Sequence, residues 1–233
     1  MPEIGKEVLM DLQKKTIIFD LDGTLADTSG DLIAAANYCF SEMGYGAVLD
    51  PSVDAPTALR GGRAMLRLGL SKRNALDERV VDHYYPVLLD AYDTAIAEHT
   101  CLFPKVREVI QWLSGAGYIL GICTNKPVDL AEKLMRAIEF RDPFLSLIGA
   151  DSLPVRKPDP RPFVEAVTRA GGRVERSCLI GDSLTDHKTA RAAGVPSVLV
   201  DFGLADQDMA ALEPDALITS FEDLPKALAD LGL

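Results

Sequence analysis

The sequence predicts an α/β fold, in which the first strand of a doubly wound parallel sheet is followed by a helical insertion. The first observation is that short, wholly apolar runs alternate with amphipathic stretches along most of the chain. The second is one long stretch, from about residue 27 to about residue 100, without a strand-like run. The third is that each informative polar cluster directly follows, or lies between, these apolar runs.

Six apolar runs predict the strands. Runs that are apolar throughout are typical of strands buried on both faces of a parallel sheet. They span residues 16–19, 118–123, 145–148, 178–181, 197–200 and 216–218. Because helical patterns separate them, we expect right-handed crossovers and a Rossmann-like core.

Amphipathic stretches between these runs predict the core helices. One begins at Pro104 and ends at Gly115, as proline and glycine commonly mark helix ends. The others are predicted at residues 127–139, 158–170 and 183–193.

Residues 28–99 form the predicted insertion, and residues 1–27 and 100–233 form the core domain around it. Within the insertion we expect helices at 31–43 and 75–97, separated by a Gly- and Arg-rich segment at 59–65. Since the insertion follows the first strand, it lies above the carboxyl ends of the strands, where α/β sheets bind ligands.

Composition and charge restrict the partners. The chain has 233 residues, enough for a core with an insertion, and a formal net charge of −11. Such a charge repels nucleic-acid phosphate and anionic lipid, so we expect neither as a partner. The N-terminus lacks the apolar stretch of a signal peptide, and no apolar run approaches the ~20 residues that span a bilayer. We expect a cytoplasmic protein with reduced cysteines.

Two pairs of acidic residues follow predicted strands. Asp20 and Asp22 follow the first strand, where Gly23 lets the chain turn sharply. Asp182 and Asp186 follow the strand predicted at 178–181. Four carboxylates in one small volume would repel one another unless a cation lay among them, and oxygen ligands suit Mg²⁺. The sequence therefore predicts a magnesium site at this edge of the sheet.

Polar groups of other types lie between these acidic pairs. Thr124 and Asn125 follow the second predicted core strand, and Thr124 offers a hydroxyl and a backbone N–H. Lys157 offers a compact positive charge in a segment stiffened by two prolines. Carboxylates, a metal, a hydroxyl and a lysine together suit phosphoryl transfer, which needs positioning and charge neutralisation.

These four clusters resemble the motifs of the haloacid dehalogenase superfamily, in its phosphoglycolate phosphatase-like branch. The matching segments, in the family's order and spacing, are DLDGTLADT at 20–28, TNKP at 124–127, KP at 157–158, and GDS at 181–183 with Asp186. The Asn-Lys-Pro continuation of the second segment is typical of that branch. The insertion resembles the small helical cap of the family.

The resemblance implies a mechanism. Asp20 would attack phosphorus and form an aspartyl-phosphate, and Asp22 would act as general acid and then general base. Mg²⁺ would be bound by Asp20, by the backbone carbonyl of Asp22 and by Asp182. Asp186 would either bind the metal through water or orient Lys157, and both alternatives stay open.

The resemblance also implies a phosphate-binding set. Thr124, Lys157 and backbone N–H groups near Asp22 and Gly23 would hold the phosphate oxygens. Asn125 would belong to this set. Capping of the helix that follows is the alternative interpretation of Thr124 and Asn125, and it is compatible with phosphate binding.

Three arginines of the insertion are candidates for substrate recognition. Arg60, Arg63 and Arg67 recur three to four residues apart, so on a helix they would share a face. A solvated face and a contact with a second anionic group, such as the carboxylate of 2-phosphoglycolate, are equally compatible with this pattern.

Several functions use this constellation. A magnesium-dependent phosphatase for a small phosphomonoester, with 2-phosphoglycolate as the leading substrate, is the first. The alternative is a sugar-phosphate mutase, phosphoglucomutase-like, with the same nucleophile. A dehalogenase would not need the acid at Asp22, and a non-catalytic relative would usually have lost a motif residue. We expect a monomer or a homodimer.

Overall fold

The computed structural model describes residues 14–202 and 207–233, which form a six-stranded parallel sheet and a separate two-stranded pair. The strands are β1 (Thr16–Phe19), β2 (Ala26–Asp27), β3 (Cys101–Leu102), β4 (Ile119–Cys123), β5 (Ser146–Ile148), β6 (Ser177–Gly181), β7 (Ser197–Val200) and β8 (Ala216–Ile218). The large sheet has the order β5-β4-β1-β6-β7-β8. The six predicted strands are confirmed. The N-terminal segment, on which the signal-peptide expectation depends, lies almost wholly outside the described residues.

Helices cover both faces of the sheet and fill the insertion. They are α1 (Ser29–Glu42), α2 (Pro51–Ala58), α3 (Gly62–Lys72), α4 (Glu78–Thr94), α5 (Val106–Gly115), α6 (Val128–Ala137), α7 (Arg161–Arg169), α8 (Leu184–Ala193) and α9 (Leu224–Asp230). Helix α7 begins at Arg161, later than predicted, and the Asp159 carboxylate in the preceding turn accepts a hydrogen bond from the Arg161 N–H at 3.0 Å. No helix among the described residues is long and apolar enough to span a bilayer.

The central strand β1 is buried on both faces. Ile17 and Phe19 point into a large apolar cluster that includes the inner faces of α5 and α6. Ile18 points the opposite way, into a smaller cluster with Phe163 of α7 and Ala190 of α8. This alternation is the expected consequence of the two-residue period of a strand. It fixes which residues after β1 can reach the carboxyl edge of the sheet.

The insertion contains two helices that the sequence pattern did not predict. Helix α2 begins at Pro51, after Asp50, whose carboxylate accepts a hydrogen bond from the Ser52 N–H at 2.9 Å. Helix α3 begins within the Gly- and Arg-rich segment, after Gly61, which has a φ of +93°. Both starts rest on local capping and backbone freedom rather than on a long apolar period, so the periodicity was too weak to indicate them.

The two chain crossings between core and insertion lie side by side. Strands β2 and β3 pair antiparallel, with Ala26 opposite Leu102 and Asp27 opposite Cys101. The buried carboxylate of Asp31 in α1 also accepts hydrogen bonds from the second crossing. Its donors are the N–H of His99 at 2.8 Å and the N–H and hydroxyl of Thr100 at 2.9 and 2.6 Å.

Candidate active site

Three adjacent strands end at one place on the carboxyl edge of the sheet. Strand β1 lies between β4 and β6, and all three run parallel. Asp20, Thr124 and Asp182 are the first residues after these strands. The sheet order therefore brings together three residues that are far apart in the sequence, at the kind of position where α/β sheets bind ligands.

Three carboxylates form a compact cluster there. One oxygen from each of Asp20, Asp182 and Asp186 lies within 4.8 Å of the others. The N–H of Asp20 donates to the Ile180 carbonyl at 2.9 Å, which holds the residue against β6. The hydroxyl of Thr24 donates to Asp182 at 2.8 Å. A hard cation suits this set, because all of its donors are oxygens and their charges repel one another.

A buried lysine joins two of these carboxylates. The Nζ of Lys157 lies 2.6 Å from Asp186 and 3.1 Å from Asp20, and its side chain is almost fully buried. The Asn125 side-chain amide donates to the Lys157 backbone carbonyl at 3.0 Å. Asp186 thus contacts Lys157 directly while remaining within the carboxylate cluster, so the geometry is compatible with both roles left open by the sequence.

The protonation equilibria reflect this crowding. The pKa of Asp20 is raised from 3.8 to about 6, because burial and repulsion from Asp186 and Asp22, which raise it, outweigh the attraction of Lys157, which lowers it. Burial, with repulsion from Asp186 and Asp20, also raises the pKa of Asp182 well above its ordinary value. Burial would lower the pKa of Lys157, but attraction to Asp186 and Asp20 outweighs it and raises this pKa instead. Lys157 alone therefore does not stabilise all of these carboxylates in their charged form.

The absence of a side chain at Gly23 allows the turn after β1 to pack against Asp182. Gly23 has a φ of +80°, and a Cβ built on it would lie 2.2 Å from a carboxylate oxygen of Asp182. Its N–H donates to the Ala26 carbonyl at 2.9 Å and so belongs to the turn. A phosphate contact by this N–H stays a prediction, and it would require that hydrogen bond to be exchanged.

Thr124 offers less to a phosphate than its sequence position indicates. Its N–H already donates to the Ile148 carbonyl at 2.9 Å, so the expectation that this N–H is available is not met. Its hydroxyl accepts a hydrogen bond from the Lys126 N–H at 3.2 Å. The hydroxyl proton is thereby left to serve as the donor.

Asp22 has two partners that sequence reasoning missed. The Thr28 hydroxyl donates to its carboxylate at 2.6 Å, and the Nζ of Lys126 lies 3.0 Å from the same oxygen. Lys126 also lies over the ring of Tyr92 in α4, with Nζ 4.4 Å from the ring centroid. Thr28 and Lys126 belong to the segments DLDGTLADT and TNKP, which were the signal that could have identified them.

The arginines of the insertion have internal partners. Arg63 forms an ion pair with Asp82 and lies over the Tyr85 ring at 4.4 Å, and Arg67 forms two hydrogen bonds to Glu78. Arg60 precedes α3, in the turn after α2, so the expectation that all three share one helix face is wrong. A substrate contact by Arg60 or Arg63 stays a prediction.

Comparison with known proteins identifies the family of this chain. Residues 17–200 match the model of the haloacid dehalogenase-like hydrolase family. A phosphoglycolate phosphatase of Caulobacter vibrioides is 40% identical, over 96% of this chain and 94% of that protein. One from Mesorhizobium japonicum is 37% identical, over 94% of this chain and 96% of that protein.

A solved structure has the same fold. It is described as a predicted phosphoglycolate phosphatase from Haemophilus somnus, and it superposes with a TM-score of 0.81 at 26% identity. The match covers 92% of this chain and 97% of that one. The chain therefore belongs to the haloacid dehalogenase-like hydrolase family, within the phosphoglycolate phosphatase-like branch of phosphoric monoester hydrolases.

Proposed function

We propose that this chain is a magnesium-dependent phosphatase that hydrolyses 2-phosphoglycolate through an aspartyl-phosphate on Asp20. The observation that carries the proposal is the Asp20 carboxylate, which lies beside a buried lysine and within a three-carboxylate cluster at the end of β1. The names of the relatives support the substrate.

The metal would be held by Asp20 and Asp182, with the backbone carbonyl of Asp22 as a further ligand. Asp186 would contribute through water or by holding Lys157. Mg²⁺ bound by such oxygens reduces the repulsion between nucleophile and phosphate and stabilises charge in the transition state.

The first half-reaction transfers the phosphoryl group to the protein. An Asp20 oxygen attacks phosphorus, and the bond between phosphorus and the ester oxygen breaks. Asp22 gives its proton to that oxygen, so the product leaves as the alcohol. The Lys157 ammonium and the Thr124 hydroxyl donate to the remaining phosphate oxygens and hold them in place.

The second half-reaction returns the enzyme to its starting state. The Asp22 carboxylate takes a proton from water, whose oxygen attacks the phosphorus of the aspartyl-phosphate. The bond between phosphorus and Asp20 breaks, and inorganic phosphate leaves. Thr28 and Lys126 orient the Asp22 carboxylate for both proton transfers, since both contact the same oxygen.

Phosphate release from a panel of esters tests this function. Purified protein, with Mg²⁺ or with a chelator, is incubated with 2-phosphoglycolate, ethyl phosphate and hexose phosphates. We expect release only with metal and fastest from 2-phosphoglycolate. Equal rates on all esters would contradict the substrate, and isomerised hexose phosphate without phosphate release would indicate the mutase instead.

A further inference from the structure

Lys126 is a buried cation at the border between the core and the insertion. Its side chain is 4% exposed, while that of its partner Asp22 is 17% exposed. Its ammonium forms an ion pair with the Asp22 carboxylate at 3.0 Å. Burial of a charge is destabilising unless the charge is paired. An incomplete set of partners around this ammonium therefore indicates that a further anionic group binds there.

The ammonium has more donor capacity than its contacts use. It carries three N–H donors. Within residues 14–202 and 207–233, Nζ contacts one carboxylate oxygen of Asp22 and the Tyr92 side chain, where it lies over the ring face and interacts with the hydroxyl. An aromatic face is a weaker partner for a cation than a carboxylate is, so a carboxylate would displace it.

The Tyr92 hydroxyl also lacks a hydrogen bond of regular geometry. Tyr92 is 1% exposed, and the polar group that interacts with its buried Oη is the Lys126 ammonium, which lies over the ring face. Buried hydroxyls are nearly always hydrogen-bonded, and an unpaired one is destabilising. An unpaired donor next to an under-used ammonium is the arrangement that an anionic ligand group would complete.

This pair lies next to the reacting bond. For proton transfer, the leaving oxygen of the ester must approach the Asp22 carboxyl to roughly 3 Å. Lys126 Nζ is 3.0 Å from that carboxyl. An anionic group one carbon away from the leaving oxygen therefore comes within reach of Lys126.

We propose that Lys126 and Tyr92 form the subsite for the substrate carboxylate, and so select phosphate esters of 2-hydroxy acids over neutral esters. The proposal rests on the proposed function and deepens it. On binding, the carboxylate takes the place of the Tyr92 ring at Nζ and accepts a hydrogen bond from the Tyr92 hydroxyl. One contact comes from the core and one from α4, so the insertion contributes directly to recognition.

The sequence pattern indicated the arginines of the insertion as candidates for binding the substrate carboxylate. Arg63 and Arg67 are paired with Asp82 and Glu78, and their side chains are 41% and 46% exposed. Exposed and already paired guanidiniums offer an incoming carboxylate less than a desolvated ammonium does.

Two matched substrates test the subsite. Ethyl phosphate has the skeleton of 2-phosphoglycolate without the carboxylate, so the ratio of kcat/KM for the two esters isolates carboxylate recognition. We expect Lys126→Met to reduce this ratio roughly 10- to 100-fold, in keeping with the loss of a hydrogen bond between charged groups. Tyr92→Phe, which removes one oxygen, is expected to reduce it several-fold. If Lys126→Met does not fold, Tyr92→Phe carries the test.

Lys133→Met is the control. Lys133 in α6 also joins the core to α4, through the carbonyl and carboxylate of Asp93, but it is half exposed and its ion pair is with Asp93 rather than with Asp22. We expect it to leave the ratio unchanged.

The outcomes separate the two proposals. Equal losses on both esters in Lys126→Met would mean that Lys126 only positions Asp22, and would overturn the subsite while leaving the phosphatase intact. A fall in the ratio with Arg63→Gln but not with Lys126→Met would place recognition in the insertion and also overturn it. A wild-type ratio near one would contradict the proposed substrate itself.

Discussion

At the scale of single residues, the site depends on backbone and side-chain atoms that approach one another closely. The closest such approach described above is at Gly23, where the turn after β1 packs directly against the Asp182 carboxylate. A side chain at this position would displace a proposed metal ligand. Asp20, the proposed nucleophile, lies three residues before Gly23 and would be displaced as well.

Gly23→Ala is predicted to lower kcat/KM by roughly 100-fold, because displacements of about 1 Å at a reacting centre have effects of that size. The measurement is metal-dependent phosphate release together with thermal unfolding. Gly44→Ala is the matched control, since Gly44 has a φ of +82° but nothing within 4 Å of its Cβ position. It introduces the same backbone strain and should leave activity unchanged. Equal effects of the two variants would show that backbone strain, not contact with Asp182, is responsible.

The sequence predicted the positions of some site residues but not how their side chains pair. The positions of Asp20 and Asp182 followed from strand ends, because the carboxyl ends of parallel strands meet at one edge. The pairing of Asp22 with Lys126 did not follow, since it depends on side-chain directions after two different strands. The internal pairing of Arg63 was likewise invisible, because a three-to-four residue spacing does not reveal what faces the helix.

At the scale of elements, strand pairing and a buried carboxylate hold together the two crossings between core and insertion. The two-residue ladder of β2 and β3 is short, and Asp31 adds three hydrogen bonds to the second crossing. The charged acceptor lies in the first turn of α1, where the helix dipole also favours a negative charge. Asp31 of α1, the helix that follows the first crossing, therefore holds the second crossing beside the first.

Asp31→Ala is predicted to lower the free energy of unfolding by roughly 2–3 kcal/mol, because it removes one charged acceptor from several donors. Urea denaturation measures this loss. Glu42→Ala, at the exposed end of the same helix, is the control and should change stability by less than about 0.5 kcal/mol. Equal losses of stability in the two variants would contradict the role of Asp31 in holding the two crossings together.

The helices of the insertion show where prediction from pattern fails. Helices α1 and α4 have long amphipathic periods and were predicted within a few residues. Helix α2 has eight residues with a proline inside it, and α3 begins at a glycine. Short elements set by capping and turn geometry leave little periodic signal for sequence reasoning.

At the scale of the whole molecule, the chain concentrates positive charge where its overall charge is unfavourable. The net charge of −11 opposes the approach of an anionic ester. Lys126 and Lys157 are both buried at the carboxyl edge of the sheet, and they supply a local field that the low dielectric strengthens. The carboxylates around them are crowded as well, and burial and mutual repulsion raise the pKa values of Asp20 and Asp182.

Stability without metal is predicted to fall as pH rises from about 4 to about 6, the interval between the ordinary and the raised pKa of Asp20. In this interval the folded state binds more protons than the unfolded state, so deprotonation favours unfolding. Mg²⁺ competes with those protons, so it should raise the melting temperature more at pH 7 than at pH 5.

Thermal unfolding at the two pH values, with and without Mg²⁺, measures this effect. Asp182→Asn removes one of the groups with a raised pKa and should flatten the pH dependence of the metal-free protein. A larger Mg²⁺ effect at pH 5 than at pH 7 would contradict the assignment of these carboxylates to the metal.

The most direct test of the central claim is to locate the transferred phosphoryl group. Protein turning over 2-phosphoglycolate with Mg²⁺ is quenched in acid, digested and analysed by mass spectrometry, while Asp20→Asn is assayed in parallel for phosphate release. The account predicts a phosphoryl group on the peptide that contains Asp20, and release at background level in the variant. A phosphoryl group on another residue, or undiminished release by Asp20→Asn, would contradict it.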